Sequence, residues 1–133
     1  MSEPQYRHLT SDTAEDVLVL TIREKELRED DVCKALESEM ADAMSQLGAK
    51  KVAVDLRHVE YIGSIGITAL LGFNHKLCRA GGRMVVCNLC RFVADVFETT
   101  RLLIGSRSRA APFEGERDLK AALANLTGAV ADE

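Results

Sequence analysis

Val52-Ala53-Val54-Asp55-Leu56-Arg57-His58-Val59-Glu60-Tyr61-Ile62-Gly63-Ser64-Ile65 is the stretch whose reading decides the fold. Val52 to Leu56 is apolar and β-rich, and a turn then runs from His58 to Gly63. Beyond it Ile67, Leu70, Leu71, Asn74, Leu77 and Cys78 recur at helical spacing. Ser64 thus stands between a buried strand and a buried helix. Its hydroxyl is placed to cap the helix by accepting a backbone N–H of the first turn. The same N-terminus, with its partial positive charge, also tolerates a phosphate or another anion.

Working outward, the central helix is predicted from about Ile65 to Arg79, ended by Gly81-Gly82, and Arg83 to Cys87 supplies the next strand. Upstream, Tyr6–Leu9 and Val17–Ile22 read as two strands joined by a polar turn over Thr10–Asp16, a β-hairpin. The charged passage Arg23–Asp31 reads as a loop followed by an acidic helix start at Asp30 or Asp31. Val32, Cys33, Leu36, Met40, Ala43, Met44 and Leu47 keep one helical face apolar, and Gly48 stands where a helix end favours φ > 0. Downstream, Phe92, Val93, Val96 and Phe97 mark a third helix ending near Thr99-Thr100. Ala110–Phe113 reads as a last strand, and Leu119, Ala122, Leu123 and Leu126 as a fourth helical stripe. The order β-β-α-β-α-β-α-β-α implies an α/β sheet with parallel pairs and right-handed crossovers, helices covering at least one face.

Composition fits one domain over residues 1–133, with an ordered core over about 6–127 and a tail over 128–133. A chain of 133 residues buries roughly two-thirds of its unfolded surface without metal or disulfide staples. The net charge of -4 gives no general attraction to nucleic acid or anionic lipid. Ser106-Arg107-Ser108-Arg109 is the one basic run, to be read as a solvated loop or a phosphate contact. No apolar run approaches the roughly 20 residues that span a bilayer, and Ser2-Glu3-Pro4-Gln5 lacks a signal-peptide core, so a cytoplasmic protein is expected. Four cysteines in a reducing compartment read as small buried hydrophobes.

On the central helix Gly66, Ile67, Leu70, Leu71, Phe73, Leu77 and Cys78 fall on one broad side, with Asn74 near its middle. Ile65, Thr68, Gly72, His75, Lys76 and Arg79 fall on the other. The first half of that second side is uncharged and partly apolar, a surface suited to another protein. The run Val54-Asp55-Leu56 through Ile62-Gly63-Ser64-Ile65-Gly66-Ile67, with Leu70-Leu71-Gly72 and Gly81-Gly82, resembles the signature of the STAS domain, the fold of bacterial anti-sigma-factor antagonists. The resemblance implies a mixed sheet of four to five strands with about four helices packed mainly on one face.

It also implies a partner-switching regulator, without enzymatic activity, cofactor or metal. Such a domain binds an anti-sigma factor that is also a serine kinase, is released by phosphorylation, and is restored by a serine phosphatase. Ser64 matches the phosphoacceptor, and Gly63, Ser64, Ile65, Thr68, Gly72 and His75 the partner face. The chain departs from the family pattern at Gly63, usually acidic, and Ile65, often Ser or Thr. The alternative within the family is a non-switching scaffold subunit of a sensory assembly. Outside it, Cys87-Asn88-Leu89-Cys90 matches a thioredoxin-like C-x-x-C, although the later cis-proline loop has only Pro112 to draw on. Ser64 with Asp55 and His58 or His75 lacks the Gly-x-Ser-x-Gly spacing of a hydrolase elbow.

Overall fold

The computed structural model describes residues 6–100, 103–104 and 113–128. The Ser106–Arg109 run, Ser2–Gln5, Pro112 and the tail beyond Gly128 lie outside the described residues. Strands β1 (Leu9–Ala14), β2 (Val17–Ile22), β4 (Lys51–Asp55), β6 (Arg83–Cys87), β7 (Leu103–Ile104) and β8 (Phe113–Glu116) form one six-stranded sheet in the order β1-β2-β4-β6-β8-β7. β1 and β2 are antiparallel and every other pair is parallel. Two further strands, β3 (Glu26–Leu27) and β5 (Tyr61–Ile62), pair in parallel on their own. The helices are α1 (Asp30–Leu47), α2 (Ser64–Arg79), α3 (Arg91–Thr99) and α4 (Leu119–Thr127).

Side chains alternate across each strand, so even-numbered Leu18, Leu20, Val52, Val54, Met84 and Val86 join one core with Leu36 and Met40 of α1, Phe73 and Leu77 of α2, and Val93 and Phe97 of α3. The odd-numbered Val17, Val19, Ala53, Val85 and Cys87 pack with Ala122 and Leu126 of α4 on the other face. Three helices on one face and one on the other is the expected layering. The sheet holds one strand more than the four to five expected, the extra one being the two-residue β7.

The first hairpin differs from its sequence reading. Thr10–Ala14 is strand, not turn, and begins at Leu9 rather than ending there. Ala14 pairs with Val17, so the turn is only Glu15-Asp16, both at positive φ (52° and 74°). That matches the two-residue hairpins whose twist suits the strands, and Thr10, Asp12 and Thr13 look polar because they are exposed on an edge strand. The last strand runs Phe113–Glu116, and Ala110–Pro112 of the expected Ala110–Phe113 strand lie outside the described residues. β3 and β5 are two residues each, too short to carry a period. Gly48, at φ 60°, ends α1 as its position predicted.

Candidate interaction site at the start of helix α2

The β3–β5 pair is the platform for the start of α2. Glu60 and Tyr61 both donate their N–H to the Lys25 carbonyl (2.7 and 3.1 Å), and Gly63 donates to the Leu27 carbonyl (2.9 Å). α2 begins at once against that carbonyl. A Cβ at Gly66 would lie 2.6 Å from the Leu27 oxygen and 2.9 Å from Ile62 Cγ1, so only glycine permits the approach.

Ser64 is not the cap that its position in the sequence implied. The cap falls one residue earlier, on extended Gly63 (φ -104°, ψ -176°), and no side chain caps the helix. Ser64 is the first helical residue and exposed. Its carbonyl accepts from Thr68 Oγ1 at 2.9 Å, so the Thr68 hydroxyl is used within the helix although that residue is exposed. Ile65 is 38% exposed, as its assignment to the outer face requires. His75 is exposed and almost in line with Ser64, roughly 16 Å along the axis.

Gly72 departs from the expected open face. Glu37 of α1 lies over it, with Oε2 2.3 Å from where a Cβ would be and 3.5 Å from Lys76 Nζ. Gly72 thus belongs to the seam between α1 and α2, because the helical wheel alone cannot say where a neighbouring helix sits. Gly72→Ala need only displace the end of a flexible carboxylate, at a cost of about 0–1 kcal/mol for the ion pair. Relief of glycine's poor helix propensity offsets this by a similar ~1 kcal/mol. Urea unfolding is expected to show the variant within about 0.5 kcal/mol of the parent.

Cys78 also differs from its reading, being exposed, and its thiol donates to Oδ1 of buried Asn74 at 3.7 Å.

The structure adds residues that the sequence did not single out. The large apolar side chains that remain exposed include Tyr61 (38%), Ile65 and Phe92 (45%), all at this end of the sheet. Tyr61 and Phe92 stack with ring centres 5.3 Å apart and planes at 19°. Arg28 lies over the Tyr61 ring at 5.8 Å and pairs with Glu26 at 3.0 Å. Phe92 was expected in the apolar stripe of α3, yet Val93 and Phe97 carry that stripe inward while Phe92 faces out onto Tyr61.

Beneath the site, Asp55 is fully buried on the α4 side of β4. Its carboxylate accepts from Arg57 N (3.0 Å), Arg57 Nε (2.9 Å) and Asn88 Nδ2 (3.0 Å), with Arg57 Nη2 at 2.8 Å. Burial pushes the carboxyl up, but the hydrogen bonds from Arg57 and Asn88 and the Arg57 charge outweigh it and hold it below the ordinary carboxylate range. Asp55 therefore braces loops and is paired to Arg57 rather than to a histidine, so no Ser-His-Asp relay is assembled around it. Burial, reinforced by the Asp55 charge, pushes the Cys87 thiol up to about 12, the opposite of an activated redox cysteine. Cys90 is half-buried and donates to the Glu60 carbonyl at 3.8 Å. Among the described residues no cluster of three potential metal ligands occurs, and no helix is long and apolar enough to cross a membrane.

The STAS domain model matches residues 9–106 of the chain. The Bordetella bronchiseptica protein BtrV, described as an anti-sigma factor antagonist, is 35% identical over 68 residues, which cover 51% of this chain and 58% of BtrV. The chain thus matches little more than half the length of that relative. Among solved structures, an anti-sigma factor antagonist of Thermotoga maritima superposes with a TM-score of 0.73 at 15% identity, covering 90% of this chain and 94% of that one. The anti-sigma factor antagonist SpoIIAA in its unphosphorylated form gives 0.71 at 17% identity, covering 92% and 98%.

Proposed function

Because this chain belongs to the STAS domain family, we propose that it is an anti-sigma-factor antagonist acting as a single regulatory domain in the cytoplasm, without catalysis of its own. Its unmodified form binds an anti-sigma factor that is also a serine kinase. Transfer of a phosphoryl group from ATP to Ser64 Oγ ends the complex, and a serine phosphatase restores it. The observation that carries this reading is the exposed, non-capping Ser64 at the head of α2 beside the apolar surface of Ile65, Tyr61 and Phe92.

The physical reason is local. Exposed aromatic residues flanked by polar ones are what a protein partner desolvates most profitably. Ile65 and Thr68 border Ser64 on the helix, with His75 at the far end of the strip and Gly63 and Gly72 at its edges. A phosphoserine adds about -1.5 to -2 charge, which a partner packed on Ile65 would meet as desolvation and repulsion. The domain need not refold for the complex to part.

The test compares parent and Ser64→Glu as baits, with intact-mass measurement after incubation with the captured kinase and ATP. The expected result is recovery of an ATP-binding serine kinase by the parent, a loss of at least about tenfold in Ser64→Glu, equivalent to ~1.4 kcal/mol, and no added phosphate on Ser64→Ala. Equal recovery of a multisubunit complex by both baits would overturn switching in favour of a scaffold subunit.

A further inference from the structure

Gly63 leaves a space at the head of α2, and two side chains from the β3–β5 platform line it. A Cβ at Gly63 would stand 3.6 Å from the Tyr61 ring, 3.7 Å from the Tyr61 hydroxyl oxygen and 3.7 Å from Arg28 Cβ. The hydrogen bond from Gly63 N to the Leu27 carbonyl fixes residue 28 beside residue 63, so the Arg28 side chain leaves the backbone beside Gly63, the residue that precedes Ser64. Its guanidinium is weakly committed. The pair with Glu26 has both side chains more than half exposed (60% and 53%), the class of ion pair that solvent screens and that holds its partners only weakly. A phosphate group competes well for such a guanidinium, because it offers two oxygens in the geometry of the planar fork and more negative charge than one carboxylate.

We infer that Arg28 is the internal receiver of a phosphate on Ser64: its guanidinium leaves Glu26 for the phosphate oxygens, with the Tyr61 hydroxyl as a neighbouring donor. This rests on the Ser64 phosphosite proposed above and adds how the domain reads the modification. Arg28 would then do two things at once. It neutralises part of the new charge within the domain, and it moves off the Tyr61 face, changing the aromatic surface that a partner meets. Phosphorylation thus alters the shape of the face as well as its charge.

The experiment installs phosphoserine at position 64 during translation by genetic code expansion, so that no kinase is needed, and follows the phosphate by ³¹P NMR titration. The second ionisation of a free phosphoserine lies near pH 6, and an adjacent cation favours the dianion. The expected midpoint in the parent is about half a pH unit or more below that of Arg28→Ala. Arg28→Lys should fall between them, and Glu26→Gln, which frees the guanidinium, below the parent. Equal midpoints in the parent and Arg28→Ala, or no response to Glu26→Gln, would overturn the inference. Failure of the phosphosite reading shows separately, as a Ser64 that the captured kinase leaves unmodified.

Discussion

Gly66→Ala is expected to destabilise the domain by about 2 kcal/mol or more, the methyl group being driven against backbone rather than a movable side chain. Its Cβ would lie 2.6 Å from the Leu27 carbonyl oxygen and 2.8 Å from Leu27 Cβ. Leu27 cannot retreat freely, because β3 is paired to β5 and its carbonyl accepts the Gly63 N–H. Overpacking a tight contact costs about 1–3 kcal/mol, and forcing α2 off the platform adds loss of the Gly63 hydrogen bond, about 1 kcal/mol. Better helix propensity returns at most ~1 kcal/mol. A fall in melting temperature of roughly 8 °C or more follows for a domain of this size. Thermal melts of Gly66→Ala and Gly72→Ala side by side give the sharpest check, since both add one methyl to the same helix. If both melt with the parent, the head of α2 is not seated on β3 as described. The same variant should bind the partner proposed above less well, since Ser64 and Ile65 move with the displaced helix.

These two glycines also mark how far the sequence could be read. Periodicity found all four helices and the strands Val17–Ile22, Val52–Leu56 and Arg83–Cys87, because each buries a full stripe or a full run and leaves a regular pattern. It misplaced β1, whose exposed polar residues look like a turn when no partner strand is visible, and it missed β3 and β5, which are only two residues long each. The site was legible where it lies on one helix: Ser64, Ile65, Thr68 and His75 are exposed along α2 as the wheel predicts. It was illegible where it depends on neighbours. Glu37 reaches Gly72 from α1, Phe92 reaches Tyr61 from α3, and Arg28 reaches Gly63 from the end of β3, and no local spacing encodes such meetings. The capping role read for Ser64 failed by one residue, because a helix start is set by where the backbone leaves the platform.

Asp55→Asn is expected to cost about 2–3 kcal/mol at neutral pH, a large effect for an isosteric change. The carboxylate gathers three hydrogen bonds in a site with no exposure to water. An amide there turns one acceptor into a donor facing the donors of Arg57 or Asn88, and a buried unsatisfied group costs about 1–3 kcal/mol. The full 3–5 kcal/mol of a broken buried ion pair is not expected, since the Arg57 side chain is half exposed and finds water. The pH dependence follows from the direction of the shift. Asp55 is held below the ordinary carboxylate range in the folded protein and returns to about 3.9 when unfolded. Its contribution is therefore fully present above about pH 4–5 and is lost as pH falls through the folded-state value. The gap between parent and Asp55→Asn in urea unfolding should be widest near neutrality and close in the acid range. Glu114 is also held low, first by its hydrogen bond from Arg83, but it titrates in both proteins and cancels from the difference. A gap that stays constant into the acid range would mean that Asp55 acts through shape alone. A closing gap would identify the carboxylate as the brace between the turn at Arg57, which leads to Tyr61 and Ser64, and the left-handed Asn88 (φ 58°), which leads to Phe92. The two halves of the proposed partner face would then share one buried charge.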